Sequence, residues 1–192
     1  RVVVSPAPGE PGKVPFWHGD RPGRPLELGR ALGAFQRETI NSARSLPADA
    51  AMAKLMHDCS LDAMAAGNVF AYLAEQALAT GVVPDDRTVV IERFRDEIGD
   101  WRVCILTPFG TPVHAPWAMA IQRLLAERFE MPIEVMWTDD GIVLRLPETY
   151  PGGSGPGGSD AELPLTDLII DPDDIRDLVM TSLPQTALFA AR

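Results

Sequence analysis

The chain has 192 residues, enough for one sizeable domain or one domain with appendages. Its 46% hydrophobic share suits a core-forming protein, yet no apolar run approaches the roughly 20 residues of a membrane span. A net charge of −10 argues against a surface that binds nucleic acid all over.

The charge is uneven. Residues 1–45 carry seven Lys and Arg against four Asp and Glu, a net of +3, and the remainder nets −13. A mildly basic N-terminal part suits local phosphate binding, and it equally suits an ordinary solvated surface. Two cysteines, Cys59 and Cys104, are too few for a secreted disulfide scaffold. Free buried thiols in a reducing cytoplasm are the expectation. No initiator Met or signal-peptide pattern stands at Arg1-Val2-Val3-Val4, so a piece of a longer chain is expected.

In chain order, RVVVS (1–5) reads as a short strand and PAPGEPG (6–12) as a loop. An apolar, aromatic patch follows, VPFWHGD (14–20), and then a second Pro/Gly loop (21–25). Helical spacing predicts a helix over 26–45 with Leu28, Leu32, Phe35, Thr39 and Ile40 on its buried face. Arg30, Arg37 and Arg44 recur every seven residues along it. Pro47 suits the first turn of a second helix to about His57, and Ser60 suits the cap of a third over 61–80 that stops at Gly81.

The centre of the chain is Thr88 to Arg128. It reads as strand (TVVIERFRD), turn at Gly99, strand (WRVCIL), loop (TPFGTPVHAP, 107–116) and a helix from Trp117 to about Glu130. A second hairpin over 133–138 and 142–146 turns at Asp139-Asp140-Gly141. The fold class is therefore α+β, an antiparallel or mixed sheet built from two hairpins and flanked by several helices. PGGSGPGGSD (151–160) is a linker by composition. Asp171 suits the cap of a tail helix to about Leu183, which Pro184 ends, and 185–192 resembles the start of another helix.

No nucleotide-binding, hydrolase or zinc-protease motif is present. His57 and Cys59 project to different sides of a helix, which is poor chelate geometry. Asp171, Asp173 and Asp174 lack the glycine and terminal Glu of a calcium loop, so capping is the better reading. Thr107 and His114 lie in a proline-stiffened loop that suits either ligand contact or satisfaction of local backbone groups. Trp17 sits beside His18, Arg21 and Arg24 on a proline-rich loop, the combination that base stacking plus phosphate contact uses. A Trp packed into a core fits the same residues equally well. Trp101, Trp117 and Trp137 lie in periodic elements and read as core.

Four blocks together carry a resemblance: VPFWHGDRPGRPLELGRALGAFQRE (14–38), RTVVIERFRDEIGDWRVCILTPFGTPVHAPWAMAI (87–121), MWTDDGIVLRLPE (136–148) and LPQTALFAAR (183–192). They resemble the large helicase-related proteins of bacteria, and within those the DEAD/H-associated module that follows two RecA-like domains and a winged-helix domain. The resemblance implies a parent chain that is an ATP-dependent 3′-to-5′ helicase and translocase, using ATP and Mg²⁺ in domains outside this sequence. It implies unwinding of DNA and RNA:DNA duplexes in DNA repair. This segment would be catalytically silent and hold no cofactor. Its partners would be single-stranded DNA or an RNA:DNA hybrid and the RecA-like and winged-helix domains, with no membrane. The expected nucleic-acid contacts are Trp17, His18, Arg21, Arg24, Arg30, Arg37, Thr107 and His114. The implied divisions are 1–25 as the end of a truncated β-barrel-like segment, 26–148 as the α+β module, 149–163 as linker and 164–192 as a helical tail.

Overall fold

A computed structural model describes residues 22–146 and 165–185. The expected first strand, the Gly/Ser linker and all but the first residue of the helix start at 185–192 lie outside those residues, and Gln185 itself ends a 3-10 turn, Leu183–Gln185. Three helices come first: α1 (Leu26–Ser45), α2 (Ala48–Cys59) and α3 (Ala63–Thr80). The hairpin β1 (Val90–Arg95) and β2 (Trp101–Leu106) follows, then α4 (Thr111–Phe129), the hairpin β3 (Glu134–Thr138) and β4 (Gly141–Leu146), and α5 (Pro172–Ser182). The strands form one antiparallel sheet in the order β1-β2-β4-β3. The two hairpins thus meet along β2 and β4, and the sheet is antiparallel throughout.

Period-two alternation sorts the central strands. Val103 and Ile105 of β2 pair with Leu144 and Ile142 of β4, and all four are buried on the face that α4 covers. Ala118, Ile121 and Leu125 of α4, with Ile133 and Leu168, complete that core. Each fully buried Leu or Ile there contributes about 1.5–3 kcal/mol. Arg102 and Arg145 point to the opposite face and are held by carboxylates, Arg102 to Asp96 at 2.8 Å and Arg145 to Asp100 at 2.7 Å. α5 lies against α4, and the Trp117 indole N–H reaches back to the Leu168 carbonyl at 2.9 Å.

Several boundaries differ from the sequence reading. α4 begins at Thr111, six residues before Trp117. Pro112 stands in the first turn, where no N–H is needed, and Pro116 forgoes a single bond, to the carbonyl of residue 112. Ser60 does not cap α3. It closes α2 in a left-handed conformation (φ 52°), and Asp62 caps α3 by accepting the Ala65 N–H at 2.7 Å. Thr39 is buried as expected and Phe35 and Ile40 are half-buried, but Leu28 and Leu32 are exposed, and α1 buries Gly29 and Gly33 instead. A Cβ on Gly29 would meet the Pro108 carbonyl oxygen at 2.3 Å, and one on Gly33 the Asp86 nitrogen at 2.3 Å. The helix backbone itself is the packing surface, which turns the leucines outward. Cys59 is exposed and Cys104 half-buried, so neither is the fully buried thiol expected. Trp101 and Trp117 are half-buried, while Trp137, on edge strand β3, is more exposed than a core residue.

Candidate nucleic-acid interface

Trp17, His18 and Arg21 lie outside the described residues. The other five expected contacts are placed, and they fall into three kinds.

Thr107 and His114 are buried and face each other across the turn into α4. The Phe109 N–H donates to Thr107 Oγ1 at 3.2 Å, and Thr107 Oγ1 lies 2.7 Å from His114 Nε2. His114 Nδ1 lies 2.7 Å from the Thr138 carbonyl oxygen. A carbonyl only accepts, so Nδ1 carries the proton, and Nε2 takes the Thr107 hydroxyl hydrogen. Every polar atom of the pair is satisfied with the ring neutral. Burial lowers the ring's pKa, which favours that form, against a smaller opposing effect of the Thr138 carbonyl. With 1% and 0% of their surfaces exposed, Thr107 and His114 tie the β2–α4 loop to β3 and do not reach a strand on the surface.

Arg24 is engaged through both its backbone and its side chain. Its backbone N–H donates to Asp139 Oδ1 at 2.8 Å. Its guanidinium donates to the Pro108 and Asp139 carbonyls at 3.2 and 3.1 Å and to Asp140 Oδ1 at 2.8 Å. The same Asp139 Oδ1 accepts the Thr111 N–H at 2.8 Å. The N–H groups of Arg24 and Thr111, in that order, hold the Asp139 carboxyl down at about 2. Glycine shapes the contact from both sides. Gly110, at φ +90°, leads into α4, and a Cβ there would strike the Arg24 carbonyl oxygen at 2.1 Å. Gly23, at φ +71°, lies against Thr111 and Pro112.

Arg37 and Arg30 form the third group. Arg37 is bidentate to Asp86, at 2.7 and 3.2 Å, and joins α1 to the segment before β1. Arg30 is exposed and has no ion-pair partner among the described residues.

Sequence reasoning missed Asp139 and Asp140 as interaction partners, because a D-D-G turn is explained fully by hairpin chemistry. It also missed a second aromatic–arginine cluster, in which the guanidinium carbons of Arg93 and Arg95 stand 4.5 and 4.7 Å from the Trp101 ring centre. The i, i+2 spacing of Arg93 and Arg95 on one strand face was the available signal. Among the described residues, no group of His, Cys, Asp or Glu is placed to hold a metal ion, and no helix is long and apolar enough to cross a membrane.

The family model described as DEAD/H associated matches residues 83–192. Over its whole length the chain is 43% identical to the Lhr helicase/probable uracil glycosylase of Mycolicibacterium smegmatis, of which it covers 12%. It is 37% identical to the Lhr helicase/uracil glycosylase of Escherichia coli, of which it covers 11%. Among solved structures it matches the Mycobacterium smegmatis helicase Lhr bound to ssDNA and AMP-PNP, with a TM-score of 0.73 and 41% identity over 96% of this chain and 22% of that one. The chain thus spans about an eighth of the length of the first of these curated relatives. By the extent of the family match, the chain belongs to the DEAD/H associated family.

Proposed function

We propose that this chain is the accessory nucleic-acid-channel module of an ATP-dependent, 3′-to-5′ DNA helicase and translocase. The observation that carries the reading is the near full-length likeness, at 41% identity, to a helicase whose structure holds single-stranded DNA. The parent chain would use ATP and Mg²⁺ in RecA-like domains, unwind DNA and RNA:DNA duplexes in DNA repair, and work in the cytoplasm. This segment supplies no chemistry of its own. It contributes a basic N-terminal rim, with Trp17 as the stacking residue and His18, Arg21 and Arg30 as further contacts. Arg24, Arg37, Thr107 and His114 serve the same rim from within the fold.

The test is a fluorescence-anisotropy titration of a labelled single-stranded oligonucleotide at low salt. Trp17→Ala should weaken binding by about 1–3 kcal/mol, the worth of one stacked base, and Asp173→Ala on the far tail helix should leave it unchanged. Equal binding by wild type and Trp17→Ala would refute the stacking role.

A second reading is a brace that docks on RecA-like and winged-helix domains without touching the strand. The net charge of −13 over residues 46–192 and the exposed Met64, Tyr72 and Leu78 of α3 favour it. It is distinguished by a chain that binds no strand at low salt, together with a full-length helicase that loses domain coupling when the module is deleted.

A further inference from the structure

We infer that the sheet face opposite α4 is an interface, covered in the parent chain by another domain of the same polypeptide that inserts apolar side chains and borders them with Lys or Arg. The inference rests on the reading of this chain as one module of a longer helicase, and deepens it by naming a surface through which the module is coupled.

The pairing registers place side chains on that face in rows that cross all four strands. The middle row reads Glu92, Cys104, Val143 and Met136 from β1 to β3. Phe94 stands at one corner and Leu106 next to Cys104 along β2. A sheet face turned to water usually alternates into polar residues. Here the outward positions of β2 and β4 hold Cys104, Leu106 and Val143, so the alternation that buries Val103 and Leu144 beneath α4 does not give a solvated face on the other side. Met136 is 63% exposed and Phe94 49%. A groove of about 480 Å³ runs over Leu106, Val143 and Met136 and ends at Trp137 on the edge strand.

The border of the face decides between a strand and a protein. Glu92, Asp96, Asp100 and Glu134 bring four carboxylates to it against the two guanidiniums of Arg102 and Arg145, and Asp140 is matched by Arg24. That excess of negative charge repels phosphates, and it suits a protein surface that carries Lys or Arg around an apolar centre. The solved relative supplies the partner by its extent, since this fold is 22% of that polypeptide. A domain tethered in the same chain meets the face at an effective concentration on the order of millimolar, so a groove of modest size is enough to hold it.

Cys104 reports the cover, because it lies half-buried in the middle row. The test is the rate at which a maleimide alkylates Cys104 in the full-length parent without nucleic acid, read by peptide mass. In Met136→Asp the buried charge should expel the covering domain and speed Cys104 at least about ten-fold, with the circular dichroism spectrum unchanged. Phe94→Asp, on the strand at the opposite edge, should do the same, and Met136→Leu should keep the wild-type rate. A carboxylate near the thiol would by itself raise its pKa and slow the reaction, so a faster rate reports uncovering. Unchanged Cys104 rates in both Asp variants overturn the interface, and strand binding by the same parent then leaves the channel-module reading standing. Faster rates in a parent that binds no strand uphold the interface and overturn the channel-module reading. Protection of Cys104 that appears only when a single-stranded oligonucleotide is added puts a strand on the face and overturns the proposal.

Discussion

The sheet with α4 and the three-helix unit α1–α3 are built by opposite means. In the sheet half, Val103, Ile105, Ile121, Leu125, Ile142, Leu144 and Leu146 bury large side chains against one another. In the helical half the buried apolar side chains of α2 and α3 are Ala51, Leu55, Ala66 and Leu73, and α1 meets its neighbours through Gly29 and Gly33. Bulk fills the first half, and close backbone approach plus ion pairs such as Arg37–Asp86 hold the second. The lesson is that the N-terminal part is positioned more than it is packed. That suits a rim whose orientation on the sheet must be set while its outer faces stay available.

The largest expected effect is in the sheet half. Leu144→Ala should cost about 2–5 kcal/mol, read as a shift in the urea midpoint at constant slope. An effect below 1 kcal/mol would show that the sheet core is not the principal store of stability. Next comes the seam between the halves. A methyl at Gly29 meets backbone at 2.3 Å, so Gly29→Ala should cost about 1–3 kcal/mol through displacement of α1 from the 107–110 loop. Amide exchange would report it as faster opening of α1 with the sheet amides unchanged.

Thr107→Val should cost about 1–3 kcal/mol, because it leaves His114 Nε2 buried without its donor. The same ring gives a pH signature. Its pKa is lowered in the fold, so as pH falls below about 6.5 the unfolded chain takes up the proton first, and stability declines until the folded ring protonates. A second decline follows from Asp139, whose carboxyl is held at about 2. Its contribution is intact above about pH 4 and is lost as pH falls from there towards 2. Urea midpoints against pH for wild type, His114→Gln and Asp139→Asn would separate the two windows. The smallest effect is at Leu78, almost wholly exposed on α3, where Leu78→Ala should stay within about 0.5 kcal/mol. A larger loss in the full-length parent than in this chain would mark the α3 face as a docking surface.

How much was legible follows the same division. The two hairpins and the tail-helix cap were readable because their signals are local, in β-branched runs, turn residues and a capping Asp. α1 was readable as a helix and only partly by its face, since Thr39 is buried as the spacing predicted while Leu28 and Leu32 are exposed. Its leucines gave the wrong side, because a glycine that brings backbone to backbone carries no hydrophobic signal. The start of α4 was missed because three prolines suggested a loop, whereas Pro112 sits where a helix lacks N–H partners anyway. Arg24 looked like a phosphate ligand beside Arg21, since charge and position in sequence are silent about Asp139, 115 residues away. Long-range partners of this kind appear only once the fold brings the turn and the loop together.

The central claim is that the chain binds a nucleic-acid strand through its basic N-terminal rim. The most direct measurement is the affinity of the wild-type chain for a single-stranded oligonucleotide as salt rises from about 50 to about 200 mM. The account predicts binding that weakens steadily, with a log–log slope near −0.7 for each phosphate neutralised. Binding that ignores salt, or no binding at the lowest salt, would contradict it.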